Sequence, residues 1–213
     1  MIASPRARLL LSATLLALAP AVAGSQTPGI TFGATPTTFT PGLSATRGWE
    51  FTLSQSIDVT ALGLFDEGGN GLVNSHQIGL WSSSSVLLAS TTIGSGTSGT
   101  LGLNSFRYVN VGPVRLNAGT FRIGAFYSDG DGDVIAQNAS PIGAAGVVSY
   151  VGPRLNGGGF GDPTSPSQVS GGAFGPNFLF RPVTVVPEPS SVALLVTGGG
   201  ALLLFARRRV RRD

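Results

Sequence analysis

The chain has 213 residues, with 13 basic residues against 10 acidic ones and a formal net charge of +3. It contains no cysteine, which excludes disulfide bonds, thiolate metal sites and cysteine-based catalysis. The positive charge lies at the two ends, because residues 24–186 hold six arginines and eight acidic residues, a net charge of −2. A nucleic-acid partner requires a basic surface on the folded part, so none is expected here.

The N-terminal residues have the composition of a secretory signal peptide. Two arginines precede an apolar stretch at residues 9–19, and the small-residue motif Ala-Val-Ala follows it. An apolar stretch of this length is too short to span a bilayer comfortably. We therefore predict a signal peptide over residues 1–23, cleaved by signal peptidase between Ala23 and Gly24, and export through the inner membrane. The alternative is an uncleaved N-terminal anchor.

The body of the chain, residues 24–186, is rich in Gly, Ser and Thr and carries the period-two alternation of β-strands. Residues 24–47 are predicted to form an extended lead-in with one short strand, residues 112–119 a turn and residues 152–175 an irregular loop. Short turns between strands predict an all-β fold, with a single antiparallel, jelly-roll-like β-sandwich over residues 48–186. The predicted strands cover residues 48–53, 57–65, 76–81, 86–93, 106–111, 120–127, 147–151 and 178–185.

Two stretches of the body share a pattern with a known domain. Residues 61–81 read ALGLFDEGGNGLVNSHQIGLW, and residues 106–126 read FRYVNVGPVRLNAGTFRIGAF. They resemble a recurrent extracellular domain of bacterial surface proteins whose function is unknown. Phe121 stands where that domain commonly has tyrosine. The resemblance covers residues 49–127 and implies an extracellular β-domain without an established activity.

Acidic residues are concentrated in two glycine-rich loops. Asp129, Asp131 and Asp133 alternate with glycines in one loop, and Asp66 lies in the other. Calcium takes six to eight oxygen ligands, so calcium is the candidate ion for these four aspartates. The alternative is a solvated acidic turn. An uninterrupted up-and-down order of strands would bring both loops to one end of the sandwich.

The remaining candidates for chemistry have structural explanations. His76 is the only histidine; acid–base catalysis needs an orienting partner, so we expect His76 to make a hydrogen bond that fixes a turn. Trp81 and Phe121 are predicted to point into the core, whereas exposure of Trp49 or Trp81 would favour sugar binding. The sequence contains no motif of a serine hydrolase, metalloprotease or phosphate loop, and no enzymatic activity is expected.

The last 27 residues, 187–213, have three parts. A Pro-Glu-Pro element is followed by an uncharged stretch at residues 191–206 and then by an arginine cluster. As a helix, the uncharged stretch extends about 24 Å against roughly 30 Å of hydrocarbon, and the arginines remain cytoplasmic. We predict a short transmembrane helix with an arginine-rich cytoplasmic end. The motif residues are Pro187, Glu188, Pro189, Arg207, Arg208 and Arg209.

This tail resembles the PEP-CTERM sorting signal of bacteria that secrete exopolysaccharide. The resemblance implies that an exosortase recognises the tail and removes it, so that the protein is membrane-anchored transiently and then reaches the cell surface or extracellular matrix. The alternative is a plain C-terminal membrane anchor. The sequence thus predicts an exported, non-enzymatic surface or exopolysaccharide-matrix protein. A calcium-assisted carbohydrate-binding module is the alternative function.

Overall fold

A computed structural model of the chain describes residues 25–144, 146–169 and 171–183. The predicted signal peptide with its cleavage position, and the predicted sorting signal with its membrane helix, lie outside these residues. Within the described ranges, no helical segment has both the length and the hydropathy of a membrane span.

The described part consists almost entirely of β-strands, which confirms the prediction of an all-β fold. Two short 3₁₀ turns, Glu67–Gly69 and Leu103–Ser105, are the helical segments found within it. The strands are β1 Thr27–Pro28, β2 Ile30–Phe32, β3 Thr37–Phe39, β4 Ala45–Leu53, β5 Ile57–Phe65, β6 His76–Ser82, β7 Leu87–Ile93, β8 Thr100–Leu101, β9 Phe106–Leu116, β10 Gly119–Tyr127, β11 Ile135–Gln137, β12 Pro141–Gly143, β13 Val148–Gly157, β14 Ser165–Pro166 and β15 Pro176–Pro182.

The long strands form two antiparallel sheets. One has five strands in the order β1-β15-β5-β9-β8, and the other has six in the order β14-β13-β4-β10-β6-β7. Two small ladders pair β11 with β3 and β12 with β2. Successive strands such as β4 and β5 belong to different sheets, so strands adjacent in the chain are not always paired. The two acidic loops nevertheless lie side by side, as predicted, since Asp133 of one accepts the N–H groups of Val73 and Asn74 from the other.

One hydrophobic core receives side chains from both sheets. In β4, Trp49 and Phe51 face this core and are fully buried, as the alternation of the strand requires. Phe178 of the five-stranded sheet packs on both rings, with centroid distances of 5.9 Å to Trp49 and 4.9 Å to Phe51. The Trp49 indole N–H donates to the Pro176 carbonyl at 2.8 Å. Each buried ring contributes about 2–3 kcal/mol of transfer free energy.

Three segments differ from their predicted conformations. The segment predicted as an extended lead-in with one short strand contains three, β1 to β3, and Ile30 in it is buried in the core. Strand β9 continues through most of the predicted turn at residues 112–119, because a register shift in its pairing with β5 accommodates the extra residues. Strand β13 likewise extends into the predicted loop at residues 152–175 and ends at Gly157.

The prediction that Trp81 points into the core is wrong. Alternation along β6 places Leu80 in the core and Trp81 on the opposite face, where it lies beside Arg122 of β10. Trp81 is nevertheless only 4% exposed, because Phe160 covers it with a centroid distance of 5.3 Å. Phe121 does face the core, as predicted, and packs against a phenylalanine of β4.

Candidate functional site

A buried polar cluster of His76, Asp131 and Asp133 lies at one end of the six-stranded sheet. His76 begins β6, and the two aspartates follow the end of its antiparallel neighbour β10. The three residues are 0%, 3% and 6% exposed, respectively. His76 Nε2 lies 2.9 Å from Asp133 Oδ2 and 3.7 Å from Asp131 Oδ1. Antiparallel pairing thus brings the start of one strand next to the segment that leaves the other.

The loop after β10 is shaped by its own aspartate. Asp131 Oδ2 accepts hydrogen bonds from the Ser128 N–H at 3.1 Å and hydroxyl at 3.3 Å. Its Oδ1 accepts the Asp133 N–H at 3.0 Å. Gly130, which lies between Ser128 and Asp131, has φ +67°, a conformation that glycine adopts without strain. These contacts turn the Asp131 carboxylate inward instead of leaving it in solvent.

Asp133 joins this loop to the segment before β6. Its Oδ1 accepts the Val73 N–H at 2.8 Å, and its Oδ2 accepts the Asn74 N–H at 2.8 Å. The Asn74 side-chain amide also donates to Asp131 at 3.4 Å. Buried N–H groups need such acceptors. The two glycine-rich loops are therefore held together by backbone contacts to a carboxylate.

The hydrogen bonds of His76 define the role of each ring nitrogen. Nδ1 lies 2.9 Å from the Phe126 carbonyl oxygen. A carbonyl only accepts, so Nδ1 carries a proton and donates. Nε2 then presents either a second N–H to Asp133 or a lone pair to a bound cation. His76 is hydrogen-bonded through both nitrogens, as expected of a histidine that fixes a turn.

Tyr127, at the end of β10, stands beside this cluster. Its ring centroid lies 4.8 Å from that of His76. Its hydroxyl is buried and has no hydrogen-bond partner among the described residues. Burial first, and then the negative charges of Asp131 and Asp133, raise the pKa of Tyr127 well above its ordinary value. The hydroxyl therefore stays protonated.

The other two aspartates of the predicted calcium group lie elsewhere. Asp66 is buried in an ion pair with Arg107, whose Nε lies 2.5 Å from Asp66 Oδ2. Both Asp66 oxygens also accept the Gly71 N–H, at 3.1 and 3.0 Å. Asp129 is exposed, and its N–H donates to the Ser44 hydroxyl at 2.9 Å. Of the four aspartates predicted to bind calcium, only Asp131 and Asp133 therefore lie together, and His76 joins them.

Neither tryptophan presents a ring to solvent, since Trp49 is 0% and Trp81 4% exposed. The surface aromatic ring that would favour sugar binding is therefore not supplied by these two residues. The partnership between His76 and Asp133 was missed by sequence reasoning because 57 residues separate them. The available signal was a single histidine at a loop-to-strand boundary in a chain that also has an acidic loop.

No protein-family model, curated protein or solved structure matches this chain. The fold and the site together define the class: an all-β domain in which a buried His–Asp–Asp cluster joins two loops. The resemblances of the tail and of the body stay predictions from the sequence.

Proposed function

We propose that this is an exported, non-enzymatic protein of the cell surface or exopolysaccharide matrix, sorted through its C-terminal signal. The observation that carries the proposal is the order Pro-Glu-Pro, uncharged stretch and arginine cluster over residues 187–213. Arginines after an apolar stretch hold the chain end in the cytoplasm, which leaves the body on the outside. Signal peptidase and an exosortase are the proposed processing partners.

The cargo of this signal, in our proposal, is a jelly-roll-like β-sandwich. The packing of Phe178 from one sheet on Trp49 and Phe51 from the other supports this arrangement. A domain with a core of this kind needs no disulfide bond to persist outside the cell, and the chain has no cysteine.

The state of the polar cluster supports a non-enzymatic role. Both oxygens of Asp131 and of Asp133 accept hydrogen bonds from groups of the chain itself. The side chains of the cluster are almost entirely shielded from solvent, whereas a catalytic group has to reach its substrate. A cluster in this state connects two loops and stabilises the domain.

Expression in two otherwise matched hosts, one with an exosortase and one without, tests the sorting proposal. In the first host, the intact mass of the exported protein should correspond to a chain that begins near Gly24 and lacks the arginine cluster. Glu188→Ala should abolish removal of the tail, because it destroys the Pro-Glu-Pro element. Glu67→Ala, in an exposed turn of the body, is the control and should leave processing unchanged.

A product that retains residues 207–213 in the host with exosortase contradicts the proposal. Equal processing of wild type and Glu188→Ala contradicts the role of the signal and favours a plain membrane anchor.

A further inference from the structure

We propose that His76, Asp131 and Asp133 bind one divalent transition-metal ion of the zinc class. The candidate ligand atoms are His76 Nε2 and one oxygen of each carboxylate, which all lie within 4.8 Å of one another. Two ligands of a tetrahedral ion at bond lengths near 2.0 Å are about 3.3 Å apart. The observed Nε2–oxygen distances of 2.9 and 3.7 Å bracket that value. This inference does not depend on the sorting proposal.

The orientation of His76 is that of a metal ligand. Metal-binding histidines donate their second ring N–H to a carbonyl or a carboxylate, which fixes the tautomer and the ring. Here the Phe126 carbonyl accepts from Nδ1 at 2.9 Å. Nε2 faces the two carboxylates, and on binding an ion it would release its proton and offer its lone pair to the metal. The Asn74 backbone N–H fixes Asp133 Oδ2 and leaves this oxygen a second lone pair for an ion. Asp131 Oδ1 accepts the Asp133 N–H at 3.0 Å and the Asn74 side-chain amide at 3.4 Å, and an ion would take the place of the longer contact.

Tyr127 covers the cluster from one side. It is fully buried, and its ring packs against that of His76 with a centroid distance of 4.8 Å. This contact holds the imidazole in place and adds to the shielding of the cluster from water. A metal site needs ligands that are held in position in this way by the packing around them.

The donor set selects the class of ion. One imidazole nitrogen with two carboxylates suits zinc and its transition-metal neighbours, whereas calcium prefers six to eight oxygens. Two buried carboxylates with a neutral imidazole carry a charge of −2, which a divalent ion neutralises. Burial makes that neutralisation important, because an uncompensated charge is costly away from water. The inferred ion therefore differs from the calcium that the acidic loop alone predicts.

Metal uptake by the full-length chain in detergent micelles tests the inference. The protein is stripped with chelator, dialysed against Zn²⁺ or Ca²⁺ as separate probes, and its bound metal is measured by elemental analysis. We expect uptake of one zinc ion per chain and no comparable calcium uptake. Co²⁺ in place of Zn²⁺ should give the visible absorption bands of a low-coordinate nitrogen and oxygen site.

Three variants locate the ion. His76→Gln and Asp131→Asn remove one ligand each and should weaken zinc binding at least about tenfold. Asp129→Asn changes an exposed aspartate of the same loop and should bind as wild type does. Circular dichroism of each variant checks that the β-structure persists, and Asp131→Asn decides the question if His76→Gln does not fold. The inference is overturned by a wild type without saturable zinc uptake, by a preference for calcium, or by equal binding in wild type and a folded ligand variant.

Discussion

The rings of Trp81 and Phe160 pack against each other, with centroids 5.3 Å apart, on the face of the six-stranded sheet that points away from the core. The loop that carries Phe160 is attached to the same face by Thr46, whose hydroxyl donates to the Gly159 carbonyl and accepts the Gly161 N–H, both at 3.1 Å. A glycine-rich segment thus shields from solvent a sheet face whose alternation alone would leave it exposed.

Removal of the Phe160 ring should expose Trp81 without disturbing the core. We expect Phe160→Ala to shift the tryptophan emission to longer wavelength and to make one of the two indoles accessible to a soluble quencher. Trp49 is fully buried and should supply the inaccessible fraction. Leu103→Ala, at a side chain that is 68% exposed, is the control. Unchanged emission in Phe160→Ala would mean that this loop does not cover the sheet.

Two ion pairs of the same chemistry differ in burial and should differ in their effect on stability. Arg122 and Asp162 form a two-point pair, at 2.8 and 2.6 Å, with side chains 8% and 9% exposed. Arg115 and Asp58 form the same pair at 2.5 and 3.0 Å, with side chains 55% and 27% exposed. Water screens the second pair but not the first.

Asp162→Ala should therefore lower the free energy of unfolding by about 1.5–3 kcal/mol, because it removes two charge-assisted hydrogen bonds from a buried guanidinium that keeps only Glu50, at 3.6 Å, as a charged partner. Asp58→Ala should leave the denaturation midpoint nearly unchanged. Chemical denaturation of both variants beside wild type measures the difference. Comparable losses in the two variants would contradict the argument from burial.

Stability should fall steeply in alkaline solution because of buried tyrosines. Burial raises the pKa of Tyr150 to about 12, and the pKa of Tyr127 lies well above its ordinary value. An unfolded chain releases the tyrosine proton near pH 10. Above about pH 10 the unfolded state therefore holds fewer protons than the folded state, and the free energy of unfolding decreases as the pH rises. Below about pH 10 this contribution is fully present.

Urea midpoints measured from about pH 8 to about pH 12 check this prediction. The Tyr127→Phe variant has no proton to lose at this position, so its midpoint should fall less between the two pH values. A midpoint of wild type that stays constant over the range, or an identical fall in Tyr127→Phe, would refute the assignment.

The period-two alternation of the sequence predicted the positions of most of the long strands. Strand β5 was predicted with its observed bounds, Ile57–Phe65, because apolar side chains on both faces mark a strand that is covered on both sides. The continuation of β9 past Gly112 was missed, since a glycine followed by Pro113 has the appearance of a turn. A bulge in the pairing of β9 with β5 accommodates Gly112 and Pro113. Such a bulge depends on the partner strand and cannot be predicted from β9 alone.

The candidate site could be predicted only in part, because its residues are distant from one another in the sequence. Carboxylates in a glycine-rich loop are visible in the sequence, but the direction in which each side chain points depends on which strands pair. Asp131 and Asp133 reach His76 because β10 pairs with β6. Asp66 was grouped with them on composition, and instead it neutralises Arg107, whose side chain is buried beside it. Alternation indicates which face is buried and leaves strand order undetermined.

Gly175 is required by the position of the Tyr127 hydroxyl. A Cβ added at Gly175 would lie 2.1 Å from the Tyr127 Oη atom, far inside van der Waals contact. Because the tyrosine ring is packed against His76, it has little room to retreat. Gly175→Ala should therefore destabilise the protein by about 1–3 kcal/mol, as overpacking does in other cores. Gly157→Ala, where an added Cβ meets nothing within 4 Å, is the matched control in a thermal melt. Equal melting temperatures for the two variants would contradict this close contact.

Asp133 should be the most important side chain of the polar cluster for stability. Its carboxylate accepts the N–H groups of Val73 and Asn74, both at 2.8 Å, and faces His76 Nε2 at 2.9 Å. Asp133→Ala leaves these three groups without an acceptor in a region that water does not reach. The loss of a buried, charge-assisted network of this size costs about 3–5 kcal/mol. Asp129→Ala removes an exposed carboxylate from the same loop and should change stability by less than about 0.5 kcal/mol. Both variants are measured by urea denaturation in chelator, so that no bound ion contributes to either value. If Asp133→Ala unfolds at the same urea concentration as Asp129→Ala, the two loops are held together by other contacts, and the buried carboxylate is dispensable to the fold.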